Sequence, residues 1–151
     1  MRYKKIKPYN LSETELRAIW KIEYCLKNLI TFDGIKVSFY EDMFDHTFFE
    51  SYNREEKDKS ILSYNRLEKI YWIKETLLDV SAILRQGWDN KTKTYFKDRR
   101  LAIVKGNYVV IIRFTGLLKA KFVTAYEKED IDNILNAPEY SKTKEFFGDR
   151  A

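Results

Sequence analysis

Tyr108-Val109-Val110-Ile111-Ile112-Arg113-Phe114 is apolar at almost every position, so a strand formed by it would have both faces buried. Gly106-Asn107 precedes it as a tight-turn signal, and Thr115-Gly116 turns the chain into a second strand-like stretch at 119–126. We therefore predict that 108–114 is the central strand of a sheet. In that sheet 101–104, 108–114 and 119–126 follow one another through short turns.

The chain upstream alternates between helical and strand patterns. Ser12 and Glu15 have the spacing of a capping box, and the apolar residues that follow at helical spacing predict a helix over 13–29. Further helices are predicted at 42–52, 64–78 and 130–135, and further strands at 35–40, 83–85 and 94–97. Helices gathered against consecutive strands are typical of an α+β fold, with an antiparallel sheet and the helices packed on one of its faces.

Length and composition favour one globular domain. The chain has 151 residues, of which 44% are hydrophobic and 34% charged, a balance typical of a folded protein rather than a disordered one. We divide it into an N-terminal helical extension at 1–31, a core at 32–136 and a tail at 137–151. The net charge of +5 favours an anionic partner such as a nucleic acid.

Cysteine content and apolar runs bear on the compartment. Cys25 is the one cysteine, and a lone thiol in an apolar helical run is typical of a reducing, cytoplasmic environment. No apolar run follows Met1-Arg2-Tyr3-Lys4-Lys5 as in a secretory signal. No stretch approaches the ~18 apolar residues of a membrane span. One His, one Cys and no compelling acidic cluster predict neither a metal site nor a cofactor.

His46 is the only histidine of the chain, and histidine is the side chain that exchanges protons most readily near neutral pH. It falls on the predicted helix 42–52, upstream of the basic helix 64–78. Two interpretations stay open. His46 either transfers protons in a catalytic cleft between helix and sheet, or is a structural histidine bonded to a carboxylate such as Asp42 or Asp45.

Basic residues recur through the predicted sheet with aromatic residues between them. They are Lys91, Lys93, Lys97, Arg99, Arg100, Lys105, Arg113, Lys119 and Lys121, interleaved with Tyr95, Phe96 and Tyr108. Lysine and arginine contact phosphates, and aromatic rings stack on unpaired bases. We therefore predict an RNA-binding surface formed by Lys93, Tyr95, Lys97, Arg99, Arg100, Lys119 and Lys121. The alternative is a solvated hairpin surface whose lysines protect strand edges.

The last predicted strand has a polar face. With a period of two, Phe122, Thr124 and Tyr126 share one face, whereas Lys119 and Lys121 share the other. Hydroxyl groups beside an aromatic ring suit contact with phosphate and base. The alternative is that Thr and Tyr are simply good strand formers.

Four pieces of sequence carry a resemblance. They are Phe44-Asp45-His46, Arg66-Leu67-Glu68-Lys69-Ile70-Tyr71-Trp72-Ile73, Tyr108-Val109-Val110-Ile111-Ile112 and Phe122-Val123-Thr124-Ala125-Tyr126. Their order over about residues 32–127 resembles the barnase–EndoU–colicin–RelE-like nucleases, especially those of phages and mobile elements. The resemblance implies a small α+β domain whose sheet cradles RNA and cuts it without a metal.

Site residues follow from the resemblance by position. It implies His46 as the helix-borne acid or base, and Thr124 and Tyr126 as polar residues of the last strand. An Arg or Lys near the sheet would complete the site. The candidates are Arg85, Arg113 and Lys121, and the pattern leaves open whether Arg113 and Lys121 face the cleft.

Three functions follow as hypotheses. The first is a metal-independent endoribonuclease that uses attack by the RNA 2′-hydroxyl, as a toxin or a phage or mobile-element effector, with RNA as substrate and a cognate inhibitor protein as partner. The second is a non-catalytic nucleic-acid-binding module on the same fold. The third is a protein-interaction regulator of a mobile element, which would depend more on helix 13–29 and the tail than on the sheet.

Overall fold

The computed structural model describes residues 3–50, 61–89, 93–95 and 100–140, and the chain has an α+β fold. The helices in these ranges are α1 (Glu13–Trp20), α2 (Met43–Phe48), α3 (Tyr64–Leu67), α4 (Trp72–Leu78) and α5 (Asp132–Leu135). The strands are β1 (Leu29–Ile30), β2 (Lys36–Ser38), β3 (Phe49–Glu50), β4 (Ile61–Leu62), β5 (Ile83–Gln86), β6 (Trp88–Asp89), β7 (Thr94–Tyr95), β8 (Arg100–Lys105), β9 (Tyr108–Gly116) and β10 (Lys119–Glu127).

The main sheet has six strands in the order β1-β2-β10-β9-β8-β5. Strands β8, β9 and β10 are antiparallel neighbours, and β9 lies in the interior, which confirms the central place predicted for 108–114. The prediction of a purely antiparallel sheet is wrong, because β2 pairs in parallel with β10. Direction follows from short turns only for strands that are consecutive in sequence, and long intervening segments separate these two.

One face of the sheet is covered by α1, α2, α3 and α4, and this side holds the main core. Trp20 is its centre, with 1% of its surface exposed. Four aromatic rings have centroids 4.8–5.6 Å from the Trp20 ring, those of Tyr24, Phe39, Phe48 and Phe122. The indole Nε1 of Trp20 donates to the carbonyl of Tyr40 at 3.0 Å, so the buried donor is satisfied.

Two predicted helices are interrupted, and Tyr24 lies at both interruptions. Helix α1 ends at Trp20 and continues only as a π-helical turn, Lys21–Cys25. The fully buried Tyr24 in this turn donates its hydroxyl to the carbonyl of Ile70 and accepts the N–H of Lys74 at 3.1 Å. These two groups would bond to each other in a continuous helix, so the inserted hydroxyl accompanies the break between α3 and α4.

The other face of the sheet is covered only in part. Ile131, Ile134 and Leu135, in and next to α5, pack against Val104 and Val109. Helices therefore lie on both faces of the sheet, and the prediction that they pack on only one face is wrong. Beyond α5 the chain pairs with β5 through a bridge between Glu139 and Arg85. Tyr140 then stacks on Phe114 and belongs to the main core.

Candidate active site

A β-bulge at Val123 sets which side chains of β10 share a face. Phe122 is opposite Ile112, but Thr124 is opposite Ile111, so Val123 is an extra residue between the two pairs. Phe122 is fully buried in the main core. Thr124 and Tyr126 lie on the opposite face of the sheet. The prediction that Phe122, Thr124 and Tyr126 share one face is therefore wrong, since one extra residue inverts the alternation.

The bulge lies where β10 loses one neighbour. The pairing of β2 with β10 reaches only Ser38 opposite Lys121, and α2 packs beside β10, which confirms the predicted packing of the His46 helix on the sheet. A cleft of about 480 Å³ opens there, and we call it the His46 cleft. Its lining comprises Tyr40, Asp42, Met43, His46, Arg100, Arg113, Lys121, Phe122 and Val123.

Three cationic residues cross the sheet at this cleft. Arg100 on β8 is opposite Arg113 on β9, and Arg113 is opposite Lys121 on β10. Residues directly opposite in a sheet lie on the same face, with Cβ atoms about 5 Å apart. We call Arg100, Arg113 and Lys121 the cationic row. Arginine and lysine in such a row suit the oxygens of a phosphate group.

Two arginines from other elements hold the helix that carries His46. Helix α2 has only six residues and no side-chain bond at its N-cap, so it depends on tertiary contacts. Arg17 of α1 contacts Asp45 at 2.6 Å and lies over the ring of Phe44 at 4.6 Å. Arg66 donates to the carbonyl of Thr47 at 3.1 Å. The side chain of His46 is exposed, so it is accessible to a substrate.

A second cleft, of about 590 Å³, lies between the sheet and α5, and we call it the α5 cleft. Its lining comprises Gln86, Gly87, Arg100, Ala102, Ile111, Thr124, Tyr126, Lys128, Asn133, Ile134 and Ala137. Thr124 and Tyr126 therefore belong to a different cleft from His46. Arg100 lines both clefts and connects them.

Burial affects the chemistry of Tyr126. Its side chain is half-buried, and this desolvation raises the pKa of the phenol, against a smaller opposing effect of the nearby Arg66 charge. The phenol therefore stays protonated at neutral pH. In that form its hydroxyl acts as a hydrogen-bond donor or acceptor and not as a phenolate base.

Arg85 lies away from both linings. Its side chain donates from Nε to the carbonyl of Leu135 and from Nη1 to the carbonyl of Leu84, both at 2.9 Å. The first of these bonds ties β5 to the end of α5. The structure thus places Arg85 beside α5, with no part in the lining of either cleft.

The other predicted RNA-binding residues are more dispersed. Lys119 is exposed at the start of β10, and Lys93 is exposed just before β7. Tyr95 belongs to β7, which pairs with β6 in a separate two-stranded sheet. Lys97 and Arg99 lie outside the described residues. Among the members of the predicted set whose side chains the structure describes, Arg100 and Lys121 line the His46 cleft.

Sequence reasoning missed several residues of the two clefts. Tyr40 and Met43 line the His46 cleft, and Asn133 lines the α5 cleft. No sequence signal marks them. Tyr40 and Met43 reach their cleft through the placement of α2 beside β10, and Asn133 reaches its cleft through the placement of α5. Arg17 was missed as well, although its position on the polar side of an amphipathic helix was readable.

Gly87 allows a close approach to Arg100, and we expect Gly87→Ala to lower the free energy of unfolding by about 1–3 kcal/mol. The backbone N–H of Gly87 donates to the carbonyl of Arg100 at 2.9 Å. A Cβ atom on Gly87 would lie 2.5 Å from the Cβ atom of Arg100, so one backbone must move. Urea denaturation of the variant measures the effect.

The matched control is Gly116→Ala, the same change at the end of β9. A Cβ atom there meets nothing within 4 Å, and we expect unchanged or slightly higher stability, by up to about 1 kcal/mol. Equal stability losses in the two variants would contradict the role given to the Gly87–Arg100 approach.

Metal sites, membrane spans and likeness to known proteins complete the description of the chain. No group of three His, Cys, Asp or Glu side chains able to hold a metal ion occurs among the residues that the structure describes. None of the helices in that part of the chain has the length and apolar composition needed to cross a bilayer. Comparison with family models, with curated proteins and with solved structures gave no match in any of the three.

Proposed function

We propose that the protein is a metal-independent endoribonuclease of the barnase–EndoU–colicin–RelE-like kind, with its active site in the His46 cleft. One observation carries the proposal. The only histidine of the chain shares a cleft with the cationic row. A side chain able to transfer protons near neutral pH thereby lines the same cleft as side chains suited to phosphate, and these are the two requirements for cutting RNA without a metal.

The reaction uses a nucleophile that RNA itself supplies. The 2′-oxygen of a ribose forms a bond to the adjacent phosphorus, and the bond from phosphorus to the 5′-oxygen of the next nucleotide breaks. The products are a 2′,3′-cyclic phosphate and a 5′-hydroxyl. His46 transfers one of the two protons, from the attacking hydroxyl or to the leaving oxygen, and water carries the other. Arg113 and Lys121 stabilise the negative charge that builds on the phosphoryl oxygens.

A non-catalytic RNA-binding module is the second candidate. The observation that favours it is the continuity of the two clefts through Arg100, which offers phosphate and base contacts without any need for His46.

An active enzyme would act as a toxin or as a phage or mobile-element effector in the cytoplasm. Its partner would then be an inhibitor protein whose acidic side chains cover the cationic row.

The direct test is incubation of the protein with total RNA in the presence of a chelator. We expect cleavage, with cyclic phosphate and 5′-hydroxyl ends on the products. An oligonucleotide with a 2′-deoxy group at the scissile position should bind without reacting, because it lacks the nucleophile. Cleavage of that substrate would overturn the mechanism. Salt-dependent binding without cleavage of any RNA would favour the binding module instead.

The cationic row predicts a specific salt dependence of RNA binding. The logarithm of affinity for single-stranded RNA should fall with the logarithm of salt concentration by about 0.7 for each phosphate contacted. We expect Lys121→Ala to weaken binding at low salt and to make this slope less steep by about 0.7. Fluorescence anisotropy with a labelled oligonucleotide measures both quantities.

The matched control is Lys7→Ala, the same loss of charge at an exposed residue outside both linings. We expect no change in its slope beyond experimental error. A slope that is the same for the wild type and for Lys121→Ala would show that Lys121 contacts no phosphate.

A further inference from the structure

We infer that the α5 cleft binds one unpaired nucleobase of the RNA, with the phosphate of that nucleotide at Arg100 between the two clefts. The inference rests on the proposed function in taking RNA as the ligand. It goes further in assigning the selection of the cut position to a second site, and in giving Thr124 and Tyr126 a role in base recognition rather than in proton transfer.

The size and lining of the α5 cleft suit a flat ring. Its volume of about 590 Å³ lies within the range of roughly 300–1,000 Å³ that small-molecule sites occupy. Ala102 and Ile111, which are opposite each other on β8 and β9, contribute its apolar floor. Ile134 and Ala137 line it from the side of α5. Apolar side chains from the sheet and from the α5 segment therefore line the same cleft, and apolar contacts suit the faces of a base.

An aromatic ring and polar side chains complete the lining. Tyr126, half-buried on β10, supplies a ring on which a base can stack. Thr124 and Asn133 supply a hydroxyl and an amide, which both donate and accept hydrogen bonds. Neither of these two side chains bonds to another residue in the described part of the chain, so both are available to the edge of a base.

The position of Arg100 favours a nucleotide over a flat molecule that carries no anionic group. Arg100 lines the α5 cleft and also belongs to the cationic row of the His46 cleft. A nucleotide carries a flat base and an anionic phosphate separated by one sugar. A base in the α5 cleft therefore places its phosphate at Arg100, and the neighbouring phosphate along the chain meets Arg113 and Lys121.

The test is titration of the isotope-labelled full chain with each of the four ribonucleoside monophosphates. Changes in the backbone amide chemical shifts in the NMR spectrum report binding. We expect shifts at residues 124–126 and 133–137 with at least one monophosphate. Ribose 5-phosphate, which has no base, should shift the amide of Arg100 but not those two segments. Shifts of equal size with ribose 5-phosphate, or none in the two segments with any monophosphate, would overturn the inference.

Variants separate recognition from folding. We expect Tyr126→Leu to weaken monophosphate binding on the order of tenfold, because it removes the stacking ring, whereas Tyr126→Phe keeps the ring and most of the affinity. Asn133→Ala changes an exposed residue and should weaken the preferred monophosphate selectively. Asn136→Ala is its matched control on the same segment, outside the lining. Equal affinities for Asn133→Ala and Asn136→Ala would overturn the role of Asn133.

Cleavage mapping distinguishes this inference from the proposed function. Tyr126→Leu should change which bases flank the cut positions, whereas His46→Ala should slow cutting by about 10²–10⁴-fold without altering monophosphate binding. Cleavage that requires His46, with base preferences unchanged in Tyr126→Leu, would overturn the base pocket and leave the nuclease intact. Monophosphate binding in the α5 cleft without cleavage of any RNA would overturn the nuclease and support the pocket.

Discussion

RNA cleavage by the His46→Ala variant is expected to be slower than that of the wild type by about 10²–10⁴-fold. The loss is large because the chain has no second histidine to replace the proton transfer. The fold should be unaffected, since the side chain is exposed and α2 is held by Arg17 and Arg66 rather than by His46. Initial rates on a labelled oligonucleotide in chelator give the ratio, and circular dichroism checks the fold.

Two companion variants make this result specific. His46→Gln keeps polar character without a titrating group, and we expect it to lose as much activity as His46→Ala. Thr124→Ala, whose side chain lies in the other cleft, should lose less, because a single hydrogen bond is worth about 1–3 kcal/mol at most. Full activity in both His46 variants would move the catalytic role from the histidine to the cationic row.

Trp20→Ala is expected to lower the free energy of unfolding by about 3–5 kcal/mol. The indole is 1% exposed, touches four aromatic side chains and donates a hydrogen bond to Tyr40. Its removal leaves a cavity at the point where α1, α2 and β10 meet. Because whole domains are stable by only about 5–15 kcal/mol, much of the protein should be unfolded at moderate urea concentrations.

The control for Trp20→Ala lies two residues further along the chain. Ile22 is 55% exposed, and we expect Ile22→Ala to change stability by no more than about 0.5 kcal/mol. Trp20→Phe should fall between the two, since it keeps an aromatic ring but loses the indole donor. A loss as small for Trp20→Ala as for Ile22→Ala would contradict the central place of Trp20 in the core.

The strands that are consecutive in sequence were readable without a structure. The apolar run 108–114 predicts an interior strand, because a strand at the edge or surface would leave large apolar side chains exposed to water. The predicted turn at Gly106-Asn107 is confirmed. The second turn was predicted two residues too early, because Thr115 and Gly116 belong to β9 and the chain turns at Leu117-Leu118. The parallel pairing of β2 was not readable, because no local rule connects a strand at 36–38 to one at 119–121.

The candidate site was readable in its residue types but not in its grouping. A histidine, cationic side chains and strand hydroxyls are visible in the sequence, and His46, Arg113 and Lys121 line the same cleft. Strict alternation places Thr124 on the same face as Phe122, and the bulge at Val123 moves it to the other. A bulge depends on the fit of two strands to each other, so the sequence of one strand does not reveal it.

The helix interruption has a similar origin. A single apolar stripe runs through 64–78, and nothing in that segment breaks a helix. At the break, the hydroxyl of Tyr24, from another part of the chain, lies between Ile70 and Lys74 and bonds to both. A buried phenol needs a partner, and this need is satisfied at the expense of a backbone bond in a distant helix.

The parallel pairing of β2 with β10 also bears on how the chain behaves during its own synthesis. Lys36–Ser38 are synthesised long before their partners Lys119–Lys121. Trp20 is likewise synthesised long before Phe122, whose ring it contacts. Contacts so distant in sequence close late and slow the search for the native state. The His46 cleft, built from α2 and β10, therefore cannot exist on a nascent chain that lacks β10.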